Sequence, residues 1–356
     1  MAANKANGAA GTSGATGRGE RPASRSAGWL RSACLPPSRL GHTSKLDGAR
    51  LGVGSTLAGT LSAPVAVRAA KVAKATILVT GGDGQLGRCL REIERQWAGY
   101  KFVFTDVGEL DITDRAAVGA ALAEHKPAWV INAAAYTAVD KAEGEEELAR
   151  KINALAVENL ALESAAAGAG LVHISTDYVF PGDDPHPLKE DAPTGPRSAY
   201  GRTKLEGEAK AALNPRNIVI RTSWLYSIYG NNFVRTMLRL GVEKRQVEVV
   251  ADQWGSPTSA YDLAGAVMAA IAKPSYGIFH YCDKGAATWA LFAEEIMALA
   301  GLECKVNHIT TAEYPAAAQR PAFSILDTHR FEAAFGVRIP EWEMSLEEVV
   351  NKLKGE

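Results

Sequence analysis

Cysteine is scarce in this 356-residue chain, and its spacing argues against the usual cysteine-based sites. The four cysteines, Cys34, Cys89, Cys282 and Cys304, lie far apart, and none belongs to a CxxC pair. This distribution is unlike a zinc site or a disulfide framework and is typical of reduced thiols in a cytosol-like compartment. We therefore expect a cytoplasmic protein.

Long apolar runs and an excess of one charge are also missing. No stretch of about 18 apolar residues occurs, so we expect no membrane span. The formal net charge is -1, which gives no indication of binding to nucleic acid or to a membrane surface. A secretory signal is not expected either, because no compact apolar block follows a charged N-terminal segment.

Acidic residues are nearly absent from residues 1–74. This segment holds 11 Lys or Arg, and its only acids are Glu20 and Asp47, so it carries a net charge of +9. It is rich in Ala, Gly, Ser and Arg without periodicity, which predicts a disordered basic tail. Two interpretations stay open: a transit peptide that directs the protein to an organelle, or a non-functional extension.

Beyond the tail, short apolar runs alternate with helical patterns. The expected strands are 75–80, 101–106, 128–133, 171–176 and 217–224. The expected helices are 85–97, 113–125, 145–167, 198–213, 232–241, 261–273, 288–300 and 345–354. Nearly continuous apolar strands that alternate with helices predict a Rossmann-type α/β fold, in which a doubly wound parallel sheet is covered on both faces.

The pattern loosens after residue 224, which predicts a smaller C-terminal substrate-binding domain. We assign residues 75–222, completed by parts of 257–283, to an NAD(P)-binding domain. The substrate-binding domain would then consist mainly of 223–256 and 284–356.

The turn after the first expected strand, TGGDGQLG, is rich in glycine. Gly82, Gly84 and Gly87 fit GxGxxG, and Gly81, Gly84 and Gly87 fit TGxxGxxG. Such glycines let the backbone approach a pyrophosphate, and the next helix offers free N–H groups at its positive end. Because this motif follows a strand and opens a helix, it predicts a dinucleotide site; an ordinary tight turn is the alternative.

An acid, Asp106, ends the second expected strand 19 residues after Gly87. Its carboxylate would accept hydrogen bonds from the adenosine ribose and repel a 2′-phosphate. Since no Arg or Lys follows directly, the pattern modestly favours NADH over NADPH. A solvated Asp in a turn is the alternative.

The stretch SAYGRTKLEGE places a tyrosine four residues before a lysine. On a helix this spacing puts Tyr200 and Lys204 on one face, where a fixed positive charge would make the phenol a better proton donor. Ser175 and Thr176 end the fourth strand, at the edge where open α/β sheets bind ligands. These groups would suit hydride transfer to a carbonyl, whereas a surface Tyr–Lys pair is the alternative.

Together, Ser/Thr, YxxxK and TGxxGxxG resemble the extended short-chain dehydrogenase/reductase superfamily. A longer set of segments resembles the dTDP-4-dehydrorhamnose reductase family: GQLG, NAAAYTAVDKAE, STDYVFPG, YGRTKLEGE, IRTSWLY, GNNFV, DQWGSPT and QRPAFSILD. They occur in that family's order from about residue 76 to the C-terminus. The resemblance implies reduction of the 4-keto group of dTDP-4-dehydro-L-rhamnose to dTDP-L-rhamnose, with NADH or NADPH and no metal in the hydride step.

The resemblance also implies roles for single residues. Tyr200 would give the proton to the nascent alkoxide at C4, Lys204 would lower the pKa of Tyr200 and hold the nicotinamide ribose, and Thr176 would bind the sugar carbonyl. Asp177 and Trp224 would complete the substrate pocket, with a core tryptophan as the alternative for Trp224. The other implied cofactor contacts are Gly81, Gly84, Gln85, Leu86, Gly87, Asp106, Asp111, Ile112, Ala134, Ala135 and Tyr136.

Two positions depart from the family pattern. Some members dimerise through a magnesium ion held by glutamates, and one of those positions is Cys89 here. A thiol is a poor magnesium ligand, so we expect that any homodimer is not bridged by magnesium. Tyr136 replaces a family histidine, which removes any imidazole chemistry there.

Two other functions stay open. The first is another nucleotide-sugar reductase or epimerase of the same superfamily, although STDYVFPG and the lack of a further acid–base pair beside Tyr200 argue against an epimerase. The second is a non-catalytic regulatory subunit with the same fold. Such subunits tend to lose the pocket residues, whereas Thr176, Tyr200 and Lys204 are all present.

Overall fold

The computed structural model describes residues 74–355, so the predictions for residues 1–73 lie outside the described part. The strands are β1 (Ala75–Thr80), β2 (Tyr100–Thr105), β3 (Trp129–Asn132), β4 (Gly170–Thr176), β5 (Asn217–Thr222), β6 (Leu225–Tyr226), β7 (Gln246–Val250), β8 (Trp254–Gly255), β9 (Thr258–Ser259), β10 (Gly277–His280), β11 (Ala287–Thr288) and β12 (Lys305–Ile309).

The helices follow the predicted pattern closely. They are α1 (Gln85–Ile93), α2 (Arg115–His125), α3 (Val139–Ala142), α4 (Glu146–Arg150), α5 (Ala156–Ala166), α6 (Ala199–Ala211), α7 (Phe233–Glu243), α8 (Ala260–Ala272), α9 (Trp289–Ala300), α10 (His329–Phe335) and α11 (Trp342–Lys354). A π-helical segment, Lys151–Leu155, joins α4 to α5, and a 3-10 turn, Glu94–Trp97, extends α1. The short helices α3 and α10 were not predicted.

Six parallel strands form the main sheet in the order β10-β5-β4-β3-β1-β2. The chain runs from β1 to β2 on one side and then to β3 on the other, so the strand order reverses at β1. The predicted α/β fold class with a doubly wound parallel sheet is therefore confirmed. The sixth strand, β10, lies inside the predicted 257–283 segment, while the division into two domains stays a prediction.

Side chains of β1 enter hydrophobic cores on both faces of the sheet. Ile77 and Val79 join a cluster with α1 and α8, while Leu78 joins a cluster with α2 and α5. All three side chains are fully buried. Alternation along one strand therefore explains why the sequence reads as a continuous apolar run rather than as an alternating one.

After β5 the chain leaves the main sheet. The predicted strand 217–224 ends at Thr222, because Trp224 adopts a left-handed backbone (φ 46°) that a strand cannot continue. Helices α7, α9 and α11 then pack in a separate cluster beside the parallel pair β7 and β12. Neither strand of this pair was predicted.

A late segment returns to the carboxyl end of the sheet. The Phe323 N–H donates to the Gly182 carbonyl (3.1 Å), and the Leu188 N–H donates to the Ile325 carbonyl (2.8 Å). Gly182 has φ +81°, and a Cβ there would lie 2.4 Å from Pro321. This close approach places the QRPAFSILD segment beside the loop that follows β4.

Candidate active site

The glycine turn between β1 and α1 has no room for side chains at two of its positions. A Cβ on Gly81 would lie 2.6 Å from the Ala134 nitrogen, and one on Gly87 would lie 2.4 Å from the Gly81 carbonyl. Gly84 closes the turn by donating its N–H to Gly81 (3.1 Å). Since no side chain caps α1, the first N–H groups of the helix are available to an anion.

A cavity of about 630 Å³ opens at this turn, where the strand order reverses. Its volume suits a small-molecule or cofactor site. It is lined by Gly81, Asp83, Gly84, Asp106, Val107, Leu110, Asp111, Ile112, Thr113, Ala133, Ala134, Ala135, Leu148, Lys151 and Ile152. The predicted residues Gln85, Leu86, Gly87 and Tyr136 are not part of this lining.

Asp106 lines the cavity and is held in place by hydrogen bonds to neighbouring residues. Its carboxylate accepts the N–H of Asp83 (2.9 Å) and the N–H of Val107 (2.8 Å), and its own N–H donates to Glu109 (2.9 Å). The carboxylate is thus held beside the glycine turn. Further along the lining, a hydrogen bond with Thr113 lowers the pKa of Asp111, which keeps that carboxyl ionised.

Gln85 connects the glycine turn to the GNNFV segment instead of lining the cavity. Its side-chain oxygen accepts hydrogen bonds from Ser227 (2.9 Å) and Asn232 (3.0 Å). Asn232 also caps α7 by accepting the Arg235 N–H (3.1 Å). The sequence did not predict this contact, because the partners lie more than 140 positions away.

Tyr200 lies in the first turn of α6. Ser198 caps this helix by accepting the Gly201 N–H (3.1 Å), and Glu143 accepts the Ala199 N–H (2.8 Å). Burial raises the pKa of Tyr200 to about 12, although hydrogen bonding with the Thr176 side chain counteracts part of this rise. The phenol therefore stays protonated at neutral pH.

Lys204 is buried one turn further along α6. Its Nζ donates to the Ile174 carbonyl (2.6 Å) on β4. Burial lowers the pKa of Lys204 to about 8, and the nearby Glu208 carboxylate opposes this change. Lys204 is not among the groups that shift the pKa of Tyr200, so the expected lowering by Lys204 stays a prediction.

Thr176 and Asp177 meet the phenol at the carboxyl end of β4. The Thr176 hydroxyl donates to Asp177 Oδ1 (3.0 Å) and accepts the Tyr178 N–H (3.2 Å). Burial raises the pKa of Asp177 to about 6, and its Oδ2 has no partner among residues 74–355. The ring of Tyr178 lies edge-on to Tyr200, with 5.6 Å between centroids.

A buried ion pair that the sequence did not predict supports this cluster. Arg221 donates to both oxygens of Glu208 at 2.8 Å, and Ser175 donates to Glu208 at 2.5 Å. Both charged side chains are less than 5% exposed. Charged residues usually lie at the surface, and nothing in the sequence near Glu208 or Arg221 indicated that the two are buried together.

A second ion pair lies near the tyrosines. Arg320 donates to both oxygens of Asp140, at 3.1 and 2.7 Å, and so joins the QRPAFSILD segment to α3. Burial lowers the pKa of Arg320, but the hydrogen bond to Asp140 and the nearby Tyr178 outweigh it and raise that pKa overall. Both residues lie in segments that resemble the family, but the sequence gave no indication that they pair.

The two remaining predicted residues, Trp224 and Tyr136, are half-buried. Trp224 stacks on Trp289 at 3.6 Å between ring centroids, at the edge of the cluster of α7, α9 and α11. Tyr136 packs with Tyr200 against a small alanine cluster, and its hydroxyl donates to Glu145 (2.5 Å). Tyr136 is therefore close to Tyr200, the candidate proton donor, whereas the contact seen for Trp224 is packing against Trp289.

Three further observations concern metal sites, membrane-spanning helices and cysteines. Among the described residues, no group of three or more His, Cys, Asp or Glu side chains is arranged to hold a metal ion. Between residues 74 and 355, no helix combines the length and apolar composition that a bilayer crossing requires. Cys89, Cys282 and Cys304 are buried free thiols.

The comparisons with known proteins agree on one family. The model of the RmlD substrate binding domain matches residues 75–354. A dTDP-4-dehydrorhamnose reductase from Sinorhizobium fredii is 41% identical over 286 residues, which cover 77% of this chain and 96% of that protein. The chain belongs to the dTDP-4-dehydrorhamnose reductase family.

Solved structures support the same assignment. The crystal structure of a dTDP-4-dehydrorhamnose reductase from Clostridium acetobutylicum is 46% identical, with a TM-score of 0.76, and the match covers 78% of this chain and 99% of that one. The enzyme from Bacillus anthracis, crystallised with NADP, is 40% identical with the same TM-score of 0.76, and covers 79% and 100%. A UDP-glucose 4-epimerase from Thermus thermophilus is 20% identical (TM-score 0.70; 79% and 99% covered), which shows the fold alone.

The family and the enzyme class expected from the sequence are therefore confirmed. As a member of the dTDP-4-dehydrorhamnose reductase family, the protein is an oxidoreductase that acts on a nucleotide sugar and uses NADH or NADPH.

Proposed function

We propose that Tyr200, Thr176 and Lys204 catalyse the reduction of the 4-keto group of dTDP-4-dehydro-L-rhamnose to dTDP-L-rhamnose. The observation that carries the proposal is the meeting of the Thr176 side chain with the buried Tyr200 phenol at the carboxyl end of β4, where Lys204 binds the same strand. Open α/β sheets place their ligands at this end.

The neighbouring cavity fits a nicotinamide dinucleotide, because its glycine turn excludes side chains and the uncapped α1 offers N–H groups to the pyrophosphate. When bound, that cofactor supplies a hydride to the carbonyl carbon. We assign the adenosine end to Asp106, Asp111 and Ile112 and the pyrophosphate to the turn residues Gly81, Gly84, Gln85, Leu86 and Gly87. Ala134, Ala135 and Tyr136 would lie along the nicotinamide half.

The chain's own residues complete the reduction at the carbonyl oxygen. The Thr176 hydroxyl would hold this oxygen, and Tyr200 would give it a proton as the carbon takes the hydride. With a pKa of about 12, the Tyr200 phenol is protonated at neutral pH yet is still a stronger acid than a sugar alcohol. Proton transfer to the developing alkoxide is therefore favourable, and the phenolate left behind is later reprotonated from solvent.

Two further groups would position the reactants. The Lys204 ammonium would hold the nicotinamide ribose and stabilise the Tyr200 phenolate. Asp177 has an unpaired, buried carboxylate oxygen within the same cluster, which suits a hydroxyl of the sugar. For Trp224 we propose a contact with the deoxysugar through its half-buried ring, and the stacked Trp289 would then fix the orientation of that ring.

We also propose that catalysis and any homodimer are independent of magnesium. Cys89 is buried and its pKa is raised to about 12, mainly by burial, so this thiol is neutral and a poor ligand for a hard cation. The cytoplasm is the proposed location, because the three described cysteines are free. A transit peptide in residues 1–74 would direct the protein to an organelle instead.

The test of this function follows NADH consumption by the full chain with dTDP-4-dehydro-L-rhamnose. Parallel reactions use a UDP-linked 4-keto sugar, and product analysis distinguishes a reduced alcohol from an epimerised ketone. We expect the dTDP substrate to be reduced fastest, with added chelator having no effect. Binding of NADH without turnover of any 4-keto sugar would instead support a regulatory subunit.

A further inference from the structure

Acidic side chains surround the place where the adenosine ribose would bind. Asp106 and Asp83 line the cavity, and Glu109 is bound to the Asp106 backbone. Three carboxylates at this point would disfavour the 2′-phosphate that distinguishes NADPH from NADH. From sequence alone this pattern modestly favoured NADH, since no Arg or Lys directly follows Asp106.

In the structure, α1 places the cationic side chain of Arg91 beside these carboxylates. The Arg91 Nη2 lies 3.2 Å from where a Cβ on Gly82 would be, and it is 3.7 Å from the Asp83 carboxylate. Its guanidinium lies 4.2 Å from the ring centroid of Phe104, near the end of β2 and two residues before Asp106. The stacked ring holds the charge beside the turn.

We propose that Arg91 binds the 2′-phosphate of NADPH and so lets this site accept both cofactors. The inference rests on the proposed function, because it assumes that a nicotinamide dinucleotide occupies the cavity. A guanidinium suits a phosphate because it offers paired N–H donors and a permanent charge. The contact to Asp83 is long and solvent-exposed, with 48% and 65% of the side chains accessible, so it is readily exchanged for a phosphate contact.

Arg88 is the competing cation on the same helix. Its Nε donates to the Asp83 carbonyl (2.9 Å), and its guanidinium lies 5.5 Å from the ring centroid of Tyr229. These contacts direct Arg88 toward the backbone of the turn and the segment after β6. The Arg91 guanidinium lies over the ring of Phe104, near the end of β2, so Arg91 is the better candidate.

Calorimetric titration of the full chain with NADPH and with NADH tests the proposal without any sugar substrate. In Arg91→Gln we expect the Kd for NADPH to rise about tenfold or more, and the Kd for NADH to change by less than about threefold. The matched control is Arg95→Gln, which removes the same charge from the next helical turn. We expect Arg91→Gln to weaken binding of 2′-phospho-ADP-ribose more than binding of ADP-ribose. These two fragments differ only in the 2′-phosphate, and neither contains the nicotinamide.

Other outcomes would overturn the assignment. Equal weakening of both cofactors in Arg91→Gln, or a loss no larger than in Arg95→Gln, would exclude phosphate recognition by Arg91. A loss specific to NADPH in Arg88→Gln but not in Arg91→Gln would transfer the role to Arg88. Should Arg91→Gln fold poorly, Arg91→Lys keeps the charge and should retain most of the NADPH affinity. Wild-type protein that binds neither cofactor would contradict the proposed function itself.

Discussion

At the scale of single residues, burial decides the acid–base properties of the candidate site. Tyr200 and Lys204 lie one helical turn apart, and the pKa of each is moved toward its neutral form, to about 12 and about 8. Asp177 follows the same rule, with a pKa of about 6. Each shift has desolvation as its largest cause, because a charge loses its hydration when water is excluded.

Replacing Tyr200 with phenylalanine should abolish turnover but leave cofactor binding intact, because the change removes the phenol proton and keeps the ring. Loss of a general acid costs about 10²–10⁴-fold in kcat. The measurements are kcat by NADH consumption and Kd by titration. Retention of more than about half of the wild-type kcat would exclude Tyr200 as the proton donor.

The pH dependence of activity should report Lys204. Below its pKa of about 8 the ammonium is charged and can hold the ribose; as the pH rises through that value, the proton and this contact are lost. We therefore expect kcat/KM to fall on the alkaline side with an apparent pKa near 8. Tyr200 would lose its proton only near pH 12 and cannot cause this fall.

The control for the pH profile is Lys204→Arg, whose guanidinium stays charged throughout. Whatever its absolute activity, its profile should lack the alkaline limb near pH 8. Profiles are measured at constant ionic strength, because screening also changes with buffer composition. An unchanged alkaline limb in Lys204→Arg would show that another group titrates.

At the scale of the elements, the buried Glu208–Arg221 pair joins α6 to β5 underneath the candidate site. On another side, Gly207 lets α6 lie close to the π-helical segment, since a Cβ there would lie 2.1 Å from the Asn153 carbonyl oxygen. Ser175 adds β4 to the same pair through its bond to Glu208. The helix that carries Tyr200 is thus fixed to the strands by a buried charge network.

Glu208→Gln should destabilise the protein strongly, because it leaves the Arg221 charge buried and uncompensated. Breaking a buried pair costs about 3–5 kcal/mol. The matched control is Glu206→Gln, which removes a bidentate partner from half-exposed Arg150 and should cost at most about 1 kcal/mol. Urea unfolding of the two variants measures the difference, and equal losses would show that the buried pair has no special role.

At the scale of the whole molecule, every candidate site residue lies within the part that the family model matches, residues 75–354. The basic segment 1–74 carries a net charge of +9 and lies outside that match, whereas the remainder carries -10. Because the two parts carry opposite charges, the basic segment could associate with the acidic remainder and help to bind an anionic substrate.

A chain that begins at Ala73 should keep full kcat/KM and nearly the same Tm, because it retains β1 and all later elements. The comparison with the full chain is made at low and at moderate salt. A loss of about tenfold or more on truncation, shrinking as salt screens the charges, would show that the basic segment takes part in substrate binding.

Local sequence pattern by itself determined much of this protein. The five strands 75–80 to 217–224, the glycine turn and the Tyr200–Lys204 spacing were predictable, because each depends on residues close together in the chain. The same holds for the family segments, which fix fold and enzyme class. Short elements such as α3, α10 and the pair β7 and β12 escaped prediction, since packing rather than local periodicity holds them.

Only the tertiary structure decided which distant charges meet. The local sequence does not predict three of these contacts: Glu208 with Arg221, Asp140 with Arg320, and Arg91 with the end of β2. Local sequence patterns do not show which distant element a helix face or a returning segment will pack against. The pKa values of Tyr200, Lys204 and Asp177 likewise depend on burial by elements far away in the chain. Electrostatic energy depends on distance and on exclusion of water, and both are set only when the sheet, its helices and the late segment pack together.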